Sequence, residues 1–191
     1  YKTIDGIVYS LDGKCLIACP TGRTGRVDIP EGVEEIARNA FKLGNIEEVH
    51  FPSTLKKIGD MAFFYCKNLK KIDFGTGLEM IGSNVEKQCF SSCDNLKSII
   101  IPPQVKSIGS RAFENSAVSE LCLNEGLASV GNNAFNGCPI KTVKLPESLK
   151  TISEDAFFGA DTVIACQYNT DLLSSVMKSL DRKVPFSYIK Q

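Results

Sequence analysis

Hydrophobic and polar positions repeat along this chain in blocks. The clearest marker of a block is an Ala-Phe pair placed four residues after an isoleucine or valine. The pair occurs at Ala40-Phe41, Ala62-Phe63, Ala112-Phe113, Ala134-Phe135 and Ala156-Phe157, with Cys89-Phe90 as a looser copy. Successive phenylalanines are 22, 27, 23, 22 and 22 residues apart. Self-similarity at a fixed period indicates a repeat protein in which each block is one structural unit.

Each block predicts two strands and a tight corner. The residues Val49-His50-Phe51 alternate between apolar and polar, which is typical of a strand with one buried face. Pro52 ends this strand because proline cannot donate to a strand ladder. Residues 55–58 predict a second, shorter strand on the opposite side, and the Ala-Phe corner predicts a turn of 3₁₀ helix. A period near 23 residues lies in the range of leucine-rich repeats, about 20 to 29 residues, so we expect a β-rich leucine-rich-repeat solenoid.

The repeated apolar positions predict continuous ladders through the molecule. One unit has an apolar face that it cannot bury alone, whereas stacked units bury a continuous core. The expected ladders are Phe41, Phe63, Phe90, Phe113, Phe135 and Phe157, and Ile36, Ile58, Ile81, Ile108, Val130 and Ile152. We expect these side chains to line the centre of the solenoid.

The two ends of the chain depart from the repeat, and we expect one domain over residues 1–191. Residues 4–9 and 14–18 predict a β-hairpin that caps the solenoid over residues 1–24, because Leu11-Asp12-Gly13 supplies turn residues between them. Six repeats occupy residues 25–161. Residues 162–191 predict a C-terminal strand-helix-strand cap, with strand 163–167, helix 171–180 and strand 184–189.

The third unit carries four extra residues between Ile81 and Phe90, in the stretch from Gly82 to Cys89. An insertion inside a repeat maps to a loop on one face of a solenoid. The stretch is either a tolerated bulge or a loop that contacts a partner.

Cysteine positions favour buried thiols over a disulfide framework. Cys66, Cys93 and Cys138 each follow a repeat phenylalanine by three residues, where Ser116, Gly44 and Ala160 stand in other units. That position therefore requires a small side chain, and free cysteine behaves as a small buried hydrophobe. Cys15 and Cys19 are too far apart to pair with each other on an extended strand.

Charge and motifs exclude several classes of function. The chain has 22 basic and 22 acidic residues, whereas a nucleic-acid-binding domain normally carries a basic surplus. No apolar run approaches the roughly 20 residues that cross a bilayer, so we expect no membrane insertion. Neither a nucleotide-binding glycine loop nor a nucleophile elbow is present, and one histidine leaves little for triads or zinc sites. Cys89 and Cys93 lack further ligands, so we expect no metal and no cofactor.

The outward positions of the main strands form two rows. One row contains Asp28, His50, Asp73, Ile100, Cys122 and Lys144, and the other contains Arg26, Glu48, Lys71, Ser98, Glu120 and Thr142. Neighbouring members lie one strand apart, about 4.8 Å. Three interpretations of these rows are open. They are a solvated face with alternating charges, a protein-contact surface around the outward Ile100 and Cys122, or a metal or catalytic site.

The unit h-x-h-Pro-x-x-h-x-x-Ile-Gly-x-x-Ala-Phe-x-x-Cys-x-x-Leu resembles the BspA-like (Treponema-type) leucine-rich repeat family. Residues 99–102 and 108–113 match it closely, and the hairpin signature Asp5-Gly6-Ile7-Val8-Tyr9 resembles the element that precedes such arrays. The resemblance covers nearly the whole chain, and departs from the pattern in the third unit. It implies a bacterial cell-surface or secreted protein that adheres to host or bacterial proteins, and the family has no common catalytic residues.

We therefore expect a monomeric, non-enzymatic module that binds a protein ligand, such as a host-matrix or other cell-surface protein. A glycan-binding module or a structural spacer of a larger envelope protein is the alternative. An enzyme that uses Asp28 or Asp73 is the third hypothesis.

Overall fold

The computed structural model describes residues 1–82, 88–153 and 155–159, and the backbone of residues 163–166. The described chain forms a β-solenoid of short strands joined by turns, in agreement with the predicted leucine-rich-repeat solenoid. Each turn of the solenoid is called a coil below. Three hydrogen-bonded walls surround one continuous hydrophobic core.

The main wall is built from one parallel strand per coil. Its strands are β4 (Thr24–Asp28), β6 (Asn45–His50), β8 (Lys71–Asp73), β10 (Ser98–Ile101), β12 (Glu120–Leu123), β14 (Thr142–Leu145) and β16 (Val163–Cys166). They pair in three sheets, β4-β6-β8, β10-β12 and β14-β16, and strands of neighbouring sheets lie side by side. Val27 pairs with Val49 and Val49 with Ile72 on the inner side, as strict alternation requires. The strand expected over residues 163–167 is present as β16 (Val163–Cys166), which pairs with β14.

The second wall consists of strands of two residues. They are β5 (Glu35–Ile36), β7 (Lys57–Ile58), β9 (Met80–Ile81), β11 (Ser107–Ile108), β13 (Ser129–Val130) and β15 (Thr151–Ile152). The second residue of each strand belongs to the predicted isoleucine and valine ladder and is buried. These strands are shorter than the predicted segment 55–58, in which Leu55 precedes β7 and is nevertheless buried.

The N-terminal segment forms three antiparallel strands, β1 (Lys2–Ile4), β2 (Ile7–Tyr9) and β3 (Cys15–Ala18). The single strand expected over residues 4–9 is divided at Asp5-Gly6, whose φ angles of 49° and 77° make a tight hairpin turn. β3 pairs in parallel with β5 and so extends the second wall. The hairpin is confirmed with one more strand than expected, and its role as a cap stays a prediction.

The Ala-Phe corners form the third wall. The spine is defined as the six repeat phenylalanines, and the N–H group of each of the first five donates to a carbonyl of the next coil. The bonds run from Phe41 to Ala62, Phe63 to Cys89, Phe90 to Ala112, Phe113 to Ala134 and Phe135 to Ala156, with N···O distances of 2.7, 2.8, 2.8, 2.8 and 2.7 Å. This geometry differs from the predicted 3₁₀ turn because left-handed residues such as Asn39 and Leu43, both with φ of 60°, interrupt each corner. Isolated i→i+3 turns result, for example from the N–H of Gly44 to the carbonyl of Phe41.

The predicted phenylalanine ladder is confirmed. All six spine rings are at most 1% exposed. Neighbouring ring centroids are 4.6, 4.9, 5.4, 5.3 and 5.3 Å apart, and the ring planes are within 14° of parallel. These spacings are close to the strand separation of about 4.8 Å, so ring stacking and backbone pairing reinforce each other.

The small side chain three residues after each spine phenylalanine has a second property. Cys66 donates its thiol hydrogen to the carbonyl of Phe41, at an S···O distance of 2.9 Å, and Cys138 donates to Phe113 at 3.0 Å. Ser116 makes the same contact with Phe90 at 2.6 Å. The position therefore selects a small side chain that can also donate a hydrogen bond to the preceding coil.

The described cysteines are free thiols, as the small-residue interpretation predicts. Burial raises the pKa of the Cys66, Cys89 and Cys138 thiols to about 12, and raises the pKa of Cys93 well above its ordinary value. These thiols are therefore neutral and poorly nucleophilic near neutral pH. Cys122, in contrast, is exposed.

Several sequence predictions lie outside the described residues. They are the helix over 171–180, the strand over 184–189, Ala160 and most of the insertion in the third unit. The division of the chain at residues 24 and 161 into caps and repeats also stays a prediction.

Phe113→Ala tests the spine. The substitution should lower the free energy of unfolding by about 3–5 kcal/mol, because it removes a fully buried ring between two stacked neighbours. Urea denaturation measures the change. Phe158→Ala is the matched control, since Phe158 is 52% exposed and its removal should change stability by less than about 0.5 kcal/mol. Equal losses in the free energy of unfolding from the two substitutions would contradict the conclusion that the spine rings stabilise the fold.

Alkylation of the native protein tests the burial of the thiols. Near pH 8 an ordinary accessible thiol is partly ionised and therefore reactive. The reagent should modify Cys122 and spare Cys66, Cys93 and Cys138. Mass spectrometry of peptides after iodoacetamide treatment measures each site, with and without urea. The buried thiols should react only in urea, and Cys122→Ser should remove the fast site. Modification of Cys138 at the rate of Cys122 in the native protein would show that the position is open to solvent.

Candidate functional site

The outward side of the main wall contains all twelve residues predicted for the binding face. Ten are exposed, and Glu48 and His50 are half-buried. The expected rows are present where the strands pair, since Asp28, His50 and Asp73 are register partners, as are Ile100 and Cys122. Thr142 and Lys144 project from β14 beside them. Their alignment follows from parallel pairing, because equivalent residues of successive coils stand at the same height.

The first half of this face is rich in charge and is called the charged half; it consists of Arg26, Asp28, Glu48, His50, Lys71 and Asp73. The Arg26 Nε atom lies 2.8 and 3.0 Å from the two carboxylate oxygens of Asp28. The hydrogen bonds from Arg26 hold the pKa of Asp28 below its usual value, and the same contact raises the pKa of Arg26. Both side chains are solvated, so this pair contributes little to stability.

His50 is the centre of the charged half. Its Nδ1 atom lies 3.4 Å from a carboxylate oxygen of Asp73, and its Nε2 atom lies 3.7 Å from a carboxylate oxygen of Glu48. The sequence correctly places His50 between two aspartates, but Arg26 engages Asp28, so Glu48 is the second carboxylate near the ring. Most charged side chains here already have partners, so a ligand would have to replace these contacts with its own.

The second half of the face is called the apolar half and consists of Ser98, Ile100, Glu120, Cys122, Thr142 and Lys144. Ile100 is 62% exposed although its strand neighbours Ile99 and Ile101 are buried. Cys122 is the register partner of Ile100 and is also exposed. An open depression of about 470 Å³ lies across β10, β12 and the start of β14. This half therefore presents apolar surface with few charges around it.

Four residues that line the depression were missed by the sequence predictions, and one of them, Ile99, is a buried residue of β10. Ser119 and Lys141 lie just before β12 and β14, and Leu121 lies within β12. Alternation assigns Leu121 to the inside, yet its side chain is half-buried, and nothing in the hydrophobic pattern signals this. Lys141 could have been predicted as part of this surface, because it directly precedes Thr142 at the start of β14.

The described residues of this face present side chains for recognition. Among them, no group of three or more His, Cys, Asp or Glu side chains is placed to hold a metal ion. The same described residues form no helix that is long and apolar enough to cross a membrane. Shape and charge complementarity are the means of recognition that this face provides.

Comparisons with known proteins agree with this architecture. A family model described as the BspA type leucine rich repeat region matches residues 21–86 and 83–178, with six copies. A search of curated proteins found no match.

Solved structures of bacterial leucine-rich repeat proteins resemble the fold. A leucine rich cell surface protein from Faecalibacterium prausnitzii is 23% identical with a TM-score of 0.62, over 92% of this chain and 41% of that one. The pneumococcal vaccine antigen PcpA is 21% identical with a TM-score of 0.71, over 99% of this chain and 47% of that one. The leucine rich repeat protein of T. pallidum is 22% identical with a TM-score of 0.64, over 95% of this chain and 96% of that one. The chain spans less than half the length of the first two proteins.

Arg26→Gln tests the electrostatics of the charged half. The substitution should raise the pKa of Asp28 toward its ordinary value of 3.8, because the charged hydrogen-bond donor is lost. A lowered folded pKa stabilises the fold above the unfolded value and loses that contribution as the pH falls through the folded value. Titration of side-chain carboxyl signals by NMR measures the shift. Lys144→Gln, on the same face, should leave Asp28 unchanged, and an unaltered Asp28 in Arg26→Gln would disprove the pairing in solution.

Proposed function

Because this chain belongs to the BspA-type leucine-rich repeat family, we propose that it is a non-enzymatic protein-binding module of a bacterial cell-surface or secreted protein. Its ligand is a host-matrix protein or another cell-surface protein, and its role is adhesion to a host or to another cell. The module acts as a monomer and recognises the ligand through the main wall. The inference from family to role is one of analogy, and the face itself supplies the physical argument.

The exposure of Ile100 carries this proposal. A solenoid needs apolar side chains on the inner side of its main wall to form the core, and Ile100, which is 62% exposed, is not part of that core. Exposed apolar surface with a polar surround is typical of protein-binding sites. Ile100, Cys122 and the half-buried Leu121 form such a surface beside the open depression.

The charged half has a different part in the same interaction. Its side chains already have partners within the face, as at Arg26–Asp28 and His50–Asp73, so exchanging these contacts for contacts with a ligand gains little affinity. Fixed charges beside an apolar centre mainly select the partner and its orientation. We place the energetic centre of binding on the apolar half and the selection of the partner on the charged half.

The names of two similar structures support an extracellular location. One is described as a cell surface protein and the other as a pneumococcal vaccine antigen. We propose the same location for this module.

A structural spacer or a glycan-binding module is the alternative function. None of the twelve residues of the main face is Phe, Tyr or Trp, so this face lacks the rings on which sugars stack. A spacer would tolerate charge reversal over the whole face without loss of any interaction.

The double substitution Ile100→Glu and Lys144→Glu tests the proposed face. Binding to immobilised extracellular-matrix protein preparations should fall at least about tenfold, a loss of about 1.4 kcal/mol, because a charge enters the apolar centre and a cation is reversed. Biolayer interferometry measures binding, and melting curves verify that the fold persists. Met80→Glu is the matched control, since Met80 is an exposed apolar residue of the second wall. Undiminished binding by the double variant would refute the proposed face.

A further inference from the structure

A row of lysines borders the apolar half on the side where the main-wall strands begin. Lys97 directly precedes β10, Ser119 directly precedes β12, and Lys141 directly precedes β14. The N–H group of Ser119 donates to the carbonyl of Lys97 at 2.9 Å, as expected for equivalent places in adjacent coils. The two lysines are two coils apart, about 10 Å. Lys97, Lys141 and Lys71, the first residue of the neighbouring strand β8, are called the lysine edge.

The lysine edge is not neutralised by the described part of the chain. All three of its residues are exposed, and no carboxylate of a described residue forms an ion pair with them. The nearby Lys67 and Lys70 differ, because they pair with Asp94 and Glu47 at 3.3 and 2.7 Å. The whole chain has as many acidic as basic residues, so the lysine edge is a local surplus of positive charge.

The carboxylates around the apolar half are mostly engaged by groups of the protein itself. Asp73 lies 3.4 Å from the Nδ1 atom of His50, and Glu125 accepts two backbone hydrogen bonds from the next coil. Glu120 lines the depression, and no described residue pairs with it. A ligand at this place therefore meets three available cations and one available anion, a balance that favours negative charge on the ligand.

The depression supplies the apolar part of the same surface. It lies where β12 belongs to one hydrogen-bonded sheet and β14 to the next, although the two strands run side by side. At this break between sheets, Leu121 is half-buried, while Ile100 and Cys122 are exposed. With a volume of about 470 Å³, the depression accommodates a large aliphatic side chain.

We propose that the apolar half and the lysine edge together bind an acidic peptide segment of the protein ligand, with an aliphatic side chain between carboxylates. The aliphatic side chain enters the depression beside Ile100 and Leu121. The flanking carboxylates pair with Lys97 and Lys141, and Lys71 attracts further negative charge. This proposal rests on the proposed function, because it names the chemistry of the segment that the main wall recognises.

The combination of apolar and basic surface favours a peptide over an anionic polysaccharide. A sulfated sugar chain would pair with the lysines, but it has no aliphatic group to cover Ile100 and Cys122, whose apolar surface would stay in water. An acidic peptide with an aliphatic residue satisfies both parts at once. An apolar centre with a charged rim is also the usual anatomy of a protein-protein interface.

Isothermal titration with four blocked peptides tests the chemistry of the partner. The peptides are Glu-Glu-Leu-Glu-Glu, Lys-Lys-Leu-Lys-Lys, Gln-Gln-Leu-Gln-Gln and Glu-Glu-Gly-Glu-Glu. The first should bind at least about tenfold more tightly than each of the others, because it alone supplies both the carboxylates and the aliphatic side chain. This preference should shrink between about 50 and 500 mM salt, since salt screens exposed charges.

Variants locate the bound peptide on the protein. Lys97→Gln with Lys141→Gln should weaken the first peptide at least about tenfold. Lys106→Gln with Lys150→Gln is the matched control and should leave binding unchanged, because these exposed lysines of the second wall are also two coils apart. Ile100→Ala should remove the difference between the leucine and glycine forms of the acidic peptide. All of these residues are exposed, so the melting curves should match that of the unmodified protein.

Binding of matrix protein by the same variants separates this proposal from the proposed function. Matrix binding that is lost in Ile100→Glu with Lys144→Glu, yet is unaffected by Lys97→Gln with Lys141→Gln, would overturn the acidic segment and leave the protein-binding face intact. Binding of the acidic peptide without binding of matrix protein would support the acidic segment and refute the matrix ligand. No binding of the acidic peptide at about 1 mM, or tighter binding of a heparin hexasaccharide that is indifferent to Ile100→Ala, would overturn the proposal.

Discussion

The stacking of one buried phenylalanine per coil is the interaction on which the structure depends. Ring centroids 4.6–5.4 Å apart match the spacing of the paired strands, so a single repeat distance satisfies both the core and the backbone. Burial of each ring stabilises the fold by roughly 1.5–3 kcal/mol relative to exposure. Since a coil cannot bury its apolar side alone, stability comes from contact between neighbours. The three walls keep these neighbours in register.

This arrangement separates the residues that stabilise the fold from those that are free to bind. Inward residues such as Val49 and Phe63 are fixed by the stack, whereas outward residues of the main wall, such as Arg26 and Asp28, contact solvent and one another. The rows can therefore differ along the solenoid without disturbing the core. Here they change from charged side chains around His50 to apolar surface around Ile100.

Much of the fold could be predicted because the same residue types recur at a regular spacing along the chain. The phenylalanine spacing identified the coils, and alternation placed all twelve face residues outward. The turn at Asp5-Gly6 was also visible, since this dipeptide favours a tight hairpin, but the apolar residues on both sides suggested one strand.

Contacts between coils were not predictable in this way. Glu125 accepts hydrogen bonds from the N–H groups of Glu147 and Ser148, more than 20 residues away, and the Cys66 thiol reaches Phe41. These bonds depend on side-chain rotamers and on the register of adjacent coils, which composition does not encode.

Site-resolved amide hydrogen exchange tests the spine most directly. The N–H groups of Phe63, Phe90 and Phe113 donate across coils beside the stacked rings, so they should exchange only when the stack opens. We expect these amides to be among the slowest in the protein, with opening free energies close to that of global unfolding, while the exposed Gly22 exchanges rapidly. Exchange of the three phenylalanine amides as fast as that of Gly22 would contradict a spine that holds the coils together.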